Sequence, residues 1–264
     1  MTTVDSAVRP MDTDAARPGF RQAVTAEWTK LRTVRSTVLA LVIGTALVPA
    51  LAVFVGVTRS LQPEDTVLGG SLTGAIAVQI AAAVVGVLGM AGEYGSGTIR
   101  ATLAASPRRH TVLAAKATVT SAVTFVAGLA GCALAAAIGG LILAGKGYAP
   151  GEPMPALLGV AVIVAAVGVL GLAAGVSLRS SAGASTTVIA ILLLPPLLGP
   201  LFGDWGRWVV GASPATVLQK LSQSSDAAPD VAGSLGAWAS LWLVCGYTAV
   251  VLAAGAWMLR VRDA

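Results

Sequence analysis

The sequence predicts an all-α integral membrane fold: six transmembrane helices, an amphipathic interfacial helix before the first, and a short cytoplasmic helix after the second. Three observations predict it. Of 264 residues, 56% are hydrophobic and only 11% charged, against about 25% charged in soluble domains. Six apolar runs each approach the roughly 20 residues that a helix needs to cross a bilayer. The lysines and arginines are shared unequally between the segments joining those runs, as the positive-inside rule requires. The formal charge of +5 does not indicate nucleic acid, because the basic residues lie between or before apolar runs. Cys132 and Cys245 both fall inside such runs and read as small hydrophobes, not as a disulfide framework.

Residues 1–19 are polar, aperiodic and proline-containing, which predicts a disordered tail. No signal-peptide pattern is present, since the first long apolar run begins only near Val38. Over residues 20–37 the pattern turns helical. Phe20, Val24, Trp28, Leu31 and Val34 recur at steps of four and three, with Arg21, Thr25 and Arg32 on the other side. A basic amphipathic helix with a tryptophan suits the membrane interface. Glu27 breaks the pattern by falling near the centre of the apolar arc. A carboxylate there either snorkels to the surface or has a partner, Lys30 one turn on or a group on another helix.

The predicted spans run roughly over 38–57, 71–91, 117–144, 156–178, 182–203 and 235–259. One set of alternate segments holds thirteen basic residues: Arg9, Arg17, Arg21, Lys30, Arg32, Arg35, Arg100, Arg108, Arg109, Lys116, Arg179, Arg260 and Arg262. The other set holds four, Arg59, Lys146, Arg207 and Lys220. Both termini are therefore expected in the cytoplasm of a multi-pass cytoplasmic-membrane protein. Gly171/Gly175 and Gly70/Gly74 have the spacing that permits close helix contact, although ordinary glycine usage in membrane helices gives the same pattern.

The segment from Glu93 to Lys116 cannot sit in lipid, since a central arginine costs roughly 2.5–3.5 kcal/mol. Gly95 and Gly97 loosen the chain, and Ser96 or Thr98 can cap a short helix on which Ile99 and Leu103 share a face. Ser106-Pro107 then offers a second helix start. A short surface helix followed by re-entry is the simplest reading; a solvated basic loop that only sets topology is the other. Towards the end, Pro195, Pro196 and Pro200 are expected to break or bend the fifth span, with freed carbonyls needing protein or water partners. In the outer segment, residues 204–234, Trp205 and Trp208 suit the interface, and Ser213-Pro214 opens a short helix carrying Val217, Leu218 and Leu221.

No acid, lysine or arginine falls in the middle of a span, so no ion carrier is evident. The single histidine, His110, excludes His-rich metal motifs. Gly140, Gly145 and Lys146 match a phosphate-binding loop by spacing, but Gly147 stands where its Ser/Thr belongs and the intervening residues end a span.

Two stretches, AEWTKLRTVRST (26–37) and GEYGSGTIRATLAASPRRHTVLAAK (92–116), resemble the small permease subunits of ATP-binding-cassette exporters, the ABC type-2 permease family. The order of tail, amphipathic helix, six spans and long second inner loop extends the resemblance over nearly the whole chain. It implies that 20–37 is a connecting helix, with Glu27, Trp28, Lys30, Leu31 and Arg32 against an ATPase subunit. It further implies a coupling helix at about 97–105 within a cytoplasmic coupling loop, residues 92–116, that docks in that ATPase. The coupling residues would be Glu93, Tyr94, Gly97, Thr98, Ile99, Arg100, Leu103, Pro107 and Arg108. Glu93 would accept hydrogen bonds from the amides opening the coupling helix, or pair with an arginine of the loop or of the ATPase. No cofactor is expected on this chain; ATP and magnesium would belong to the partner, and a second permease copy would complete the transporter.

The expected function is thus the transmembrane, non-enzymatic subunit of an exporter moving an amphipathic or hydrophobic molecule such as a drug, peptide antibiotic or lipid. The alternative is a non-pumping immunity or structural protein that binds a toxic peptide or partner. A membrane-embedded enzyme would need a catalytic pair in a cavity, and the spans offer no intramembrane His, Asp or Glu.

Overall fold

The computed structural model describes residues 19–61, 64–99, 101–102 and 109–261. Eleven α-helices lie among them, and the only β-pairing is an isolated parallel bridge between Thr66 and Ala149. They are α1 (Phe20–Thr33), α2 (Arg35–Thr58), α3 (Val67–Ser71), α4 (Ala75–Gly95), α5 (Arg109–Leu143) and α6 (Pro153–Leu178). After these come α7 (Ser181–Leu198), α8 (Gly206–Gly211), α9 (Pro214–Leu221), α10 (Pro229–Ala232) and α11 (Ala237–Val261). Six of them, α2, α4, α5, α6, α7 and α11, are long and apolar enough to cross a membrane. The expected tail lies outside the described residues up to position 18.

The centre of the bundle is α6, and its closest neighbour is α4. Their contact is made by glycine. A Cβ on Gly171 would collide with the carbonyl oxygen of Ala83, and one on Gly86 with that of Gly168. At Gly175 it would lie 3.0 Å from the Val87 carbonyl oxygen. In lipid no hydrophobic force draws helices together, so this close backbone approach supplies the dispersion contact that holds them. The expected role of Gly171 and Gly175 is therefore met. Around this pair Ala83, Val87, Val167 and Leu170 pack with Val188 and Leu192 of α7. Large apolar residues of α2 (Leu39, Val42, Phe54), α7 (Leu197) and α11 (Trp242, Trp257) face outward.

Two local features bear on the sequence expectation, the first as a correction and the second as a proline site whose freed carbonyl finds the expected protein partner. The first helix ends at Thr33, not at residue 37. Val34 is extended (φ −82°, ψ 102°) and α2 begins at Arg35, so buried Thr37 belongs to the first span. The α7 helix also runs through Pro195 and Pro196 to Leu198 before tightening into a 3₁₀ turn over Gly199–Trp205. Proline at 196 has no N–H for the carbonyl of Leu192 one turn back. The hydroxyl of Ser213 donates to that carbonyl at 3.0 Å instead, which lets the helix continue. Ser213→Ala would leave the buried carbonyl unpaired and is expected to cost about 1–3 kcal/mol. Thermal unfolding in detergent checks this, and an unchanged midpoint would refute the substitution of one donor for the other.

The short helix α9 buries Val217, Leu218 and Leu221, the three residues expected on it, while Trp205 and Trp208 point outward. It is pinned from several sides. Gln79 of α4 donates to the Pro214 carbonyl at 2.9 Å, and Lys220 donates to the Leu235 carbonyl at 2.9 Å. Below it, Gln223 and the backbone of Glu152 exchange hydrogen bonds, and Ser225 bonds Asp65. Lys146, the lysine of the phosphate-loop look-alike, spends its ammonium on the Gly56 carbonyl at 3.1 Å. At that end single charged groups bond carbonyls and hydroxyls, whereas at the end carrying α1 acids and lysines meet one another.

Candidate functional site: a buried ion cluster

Three segments distant in sequence bring four charged side chains together. α1 supplies Glu27 and Lys30, the end of α4 supplies Glu93, and α5 supplies Lys116 two turns beyond its start at Arg109. The Lys116 ammonium lies 2.8 Å from Glu27 Oε2 and 2.7 Å from Glu93 Oε1. Its third hydrogen bond goes to the Gly89 carbonyl at 3.0 Å. Lys30 lies 3.0 Å from Glu27 Oε1 and 2.9 Å from Glu93 Oε1, with the Thr102 hydroxyl at 3.4 Å.

The cluster is neutral overall, two acids against two lysines, but not evenly wet. The Lys116 side chain is only 2% exposed, whereas that of Lys30 is 44% exposed. An ammonium as buried as Lys116 is tolerated only when its protons are spent on partners. For Lys30, burial works against the charge, but the hydrogen bonds and attraction of Glu93 and Glu27 outweigh it and hold the ammonium above its ordinary pKa. Glu27, the sole buried residue of α1, thereby has both kinds of partner the sequence left open: Lys30 one turn on and Lys116 on another helix. Glu93 is held by two lysines, Lys30 and Lys116; the loop arginines expected as its alternative partners, Arg100 and Arg108, lie outside the described residues.

Beside the cluster lies a cavity of about 450 Å³. Its polar side is formed by Glu27, Lys30, Glu93 and Lys116 together with serine and threonine hydroxyls of α1, α2 and α5, and its apolar side by Leu31, Val34, Val85, Leu88 and Val119. The other expected residues are more dispersed. Trp28 is exposed beneath the guanidinium of Arg32, 5.7 Å from its ring centroid. Tyr94 lies under the guanidinium of Arg179 at 5.2 Å. Gly97 takes a left-handed conformation (φ +72°) that favours glycine, and Thr98 is exposed with its hydroxyl 2.9 Å from that of Ser96. Ile99 turns into this chain's own core with Met90, Leu113, Leu172, Val176 and Leu259. Arg100, Leu103, Pro107 and Arg108 lie outside the described residues, as does most of the expected coupling helix.

Sequence reasoning missed Lys116, which it counted only as an inner-loop charge. The signal was available in Glu27, whose place in an apolar arc demanded a cation, and in Lys116, which follows an apolar stretch of α5.

Six apolar helices, two of them packed together through glycines, define a helical, membrane-embedded protein. Comparison with protein-family models and with curated proteins finds no match for this chain. Among the described residues no group of His, Cys, Asp and Glu is arranged to hold a metal ion.

Proposed function

We propose that this chain is the membrane subunit of an ATP-driven exporter of the ATP-binding-cassette type, moving an amphipathic or hydrophobic molecule across the cytoplasmic membrane. One observation carries most of the weight. The helix before the first span, the end of the second span and the start of the third are joined by a single charged node (Glu27, Lys30, Glu93, Lys116). These are the elements that the resemblance assigns to connecting helix, coupling loop and return into the membrane. A node of that kind suits a part that receives force at one end of the bundle and passes it to two spans together. In this reading ATP and magnesium are held by a separate ATPase subunit, a second permease copy completes the pathway, and α1 lies on the cytoplasmic surface.

The test is purification of the tagged full-length chain after mild crosslinking in its native membrane. An ATP-binding-cassette ATPase should co-purify, and ATP hydrolysis should accompany it. Recovery of the chain with no such ATPase, or uphill transport by the chain alone in liposomes, would overturn the reading. Sidedness is separately measurable. Cysteines introduced at Arg109 and Arg21 should react with an impermeant maleimide only from the cytoplasm, and one at Ser224 only from outside. Labelling of positions 109 and 224 from the same side would reject the arrangement.

A further inference from the structure

We propose that the cavity between α1, α4 and α5 binds a hydrophobic amine, a single-chain or drug-sized molecule with an ammonium head and an apolar body. The assignment follows from counting hydrogen bonds in the charged cluster. Each ammonium carries three N–H groups. Those of Lys116 go to Glu27, Glu93 and Gly89, and those of Lys30 to Glu27, Glu93 and Thr102. Neither lysine retains a proton for a ligand. On the acid side, Glu93 Oε1 accepts from both lysines, while Glu93 Oε2 is buried without a hydrogen-bond partner among the described residues. A buried carboxylate oxygen left unpaired is costly, so the unfilled capacity of this site is that of an acceptor. Neither ammonium has a proton left for an anionic head, which would meet only neutral hydroxyls such as those of Ser36, Thr37 and Thr120; a cationic donor finds a carboxylate.

The rest of the cavity describes the body of the ligand. Val85, Leu88, Val119, Leu31 and Val34 line it, and about 450 Å³ is within the range of pockets for one drug-sized molecule. That volume favours a free amine over the headgroup and paired chains of an aminophospholipid. Gly92, on the same wall as Glu93, keeps the space open, since a Cβ there would meet no atom within 4 Å. This inference does not depend on the exporter reading, because it concerns binding by the chain itself.

The experiment uses the full chain in phosphatidylcholine nanodiscs, whose lipid headgroups lack N–H donors, with radiolabelled decylamine, decanol and decanoate as probes. Decylamine should bind saturably above the partition seen in empty discs, at least tenfold more tightly than decanol, with decanoate showing no saturable component. Gly92→Phe fills the cavity while leaving all four charged residues in place and should abolish saturable decylamine binding. Glu93→Gln should weaken it at least tenfold. Gly92→Phe is the decisive variant if Glu93→Gln is poorly folded. Equal retention of the three probes, or unchanged decylamine binding by Gly92→Phe, would overturn the proposal. Full displacement of decylamine by stoichiometric phosphatidylethanolamine would also overturn it, in favour of a lipid headgroup.

Discussion

Replacing Lys116 by methionine is expected to destabilise the folded chain by about 3–5 kcal/mol, the range found when one partner of a buried ion pair is removed. Methionine approximates the lysine stem in volume, so packing changes little and the loss is electrostatic. Glu27 Oε2 would lose the Lys116 ammonium, Glu93 Oε1 would keep only Lys30, and the Gly89 carbonyl would lose its side-chain donor. The two acids would then share one half-exposed ammonium. Thermal unfolding of the variant in detergent measures the effect. The double variant Lys116→Met with Glu27→Gln restores neutrality and should recover part of the loss. A Lys116→Met midpoint equal to wild type would mean that the charges do not hold α1 to the bundle.

Gly171→Val is expected to be strongly damaging at the α4–α6 contact. The added Cβ would meet the backbone carbonyl of Ala83, and backbone cannot turn aside as a side chain can. Overpacking in cores costs typically 1–3 kcal/mol and sometimes more; this site belongs at the upper end, because the helices must separate along several turns to make room. Gly175→Ala, whose Cβ lies 3.0 Å from the Val87 carbonyl oxygen, should cost less. The yield of monodisperse protein after size exclusion, followed by its thermal midpoint, ranks the two. Equal behaviour of Gly171→Val and wild type would remove the backbone contact as the organising feature of the bundle.

The six spans were legible because a bilayer demands about 20 apolar residues in a row, a constraint read directly from sequence. The close-packing glycines were legible for a related reason: a four-residue spacing puts Gly171 and Gly175 on one face whatever the fold. Glu27 announced itself as an anomaly, but its partner did not. Lys116 lies 89 positions away, and only the docking of α5 against α1 brings its stem inward. The break at Val34 carried no glycine or proline to mark it. Continuation of α7 through two prolines was hidden because the compensating donor, Ser213, comes from a different segment. Ile99 carried the right periodicity, yet periodicity does not say whether a face meets a partner or the chain's own core.

The 35 residues of α5 make a rod about 50 Å long at 1.5 Å per residue, well beyond the roughly 30 Å of a hydrocarbon layer. One end holds Lys116 in the charged node; towards the other, Gly139 presses on Ser71 of α3. A stiff rod clamped at both ends behaves as a lever. Tilting it by about 5° around its midpoint would swing each tip by about 2 Å in opposite directions, given that length. A shift at Lys116, about 15 Å from the midpoint, is thereby coupled to a somewhat larger counter-shift at Gly139, about 20 Å beyond it, within one unbroken helix.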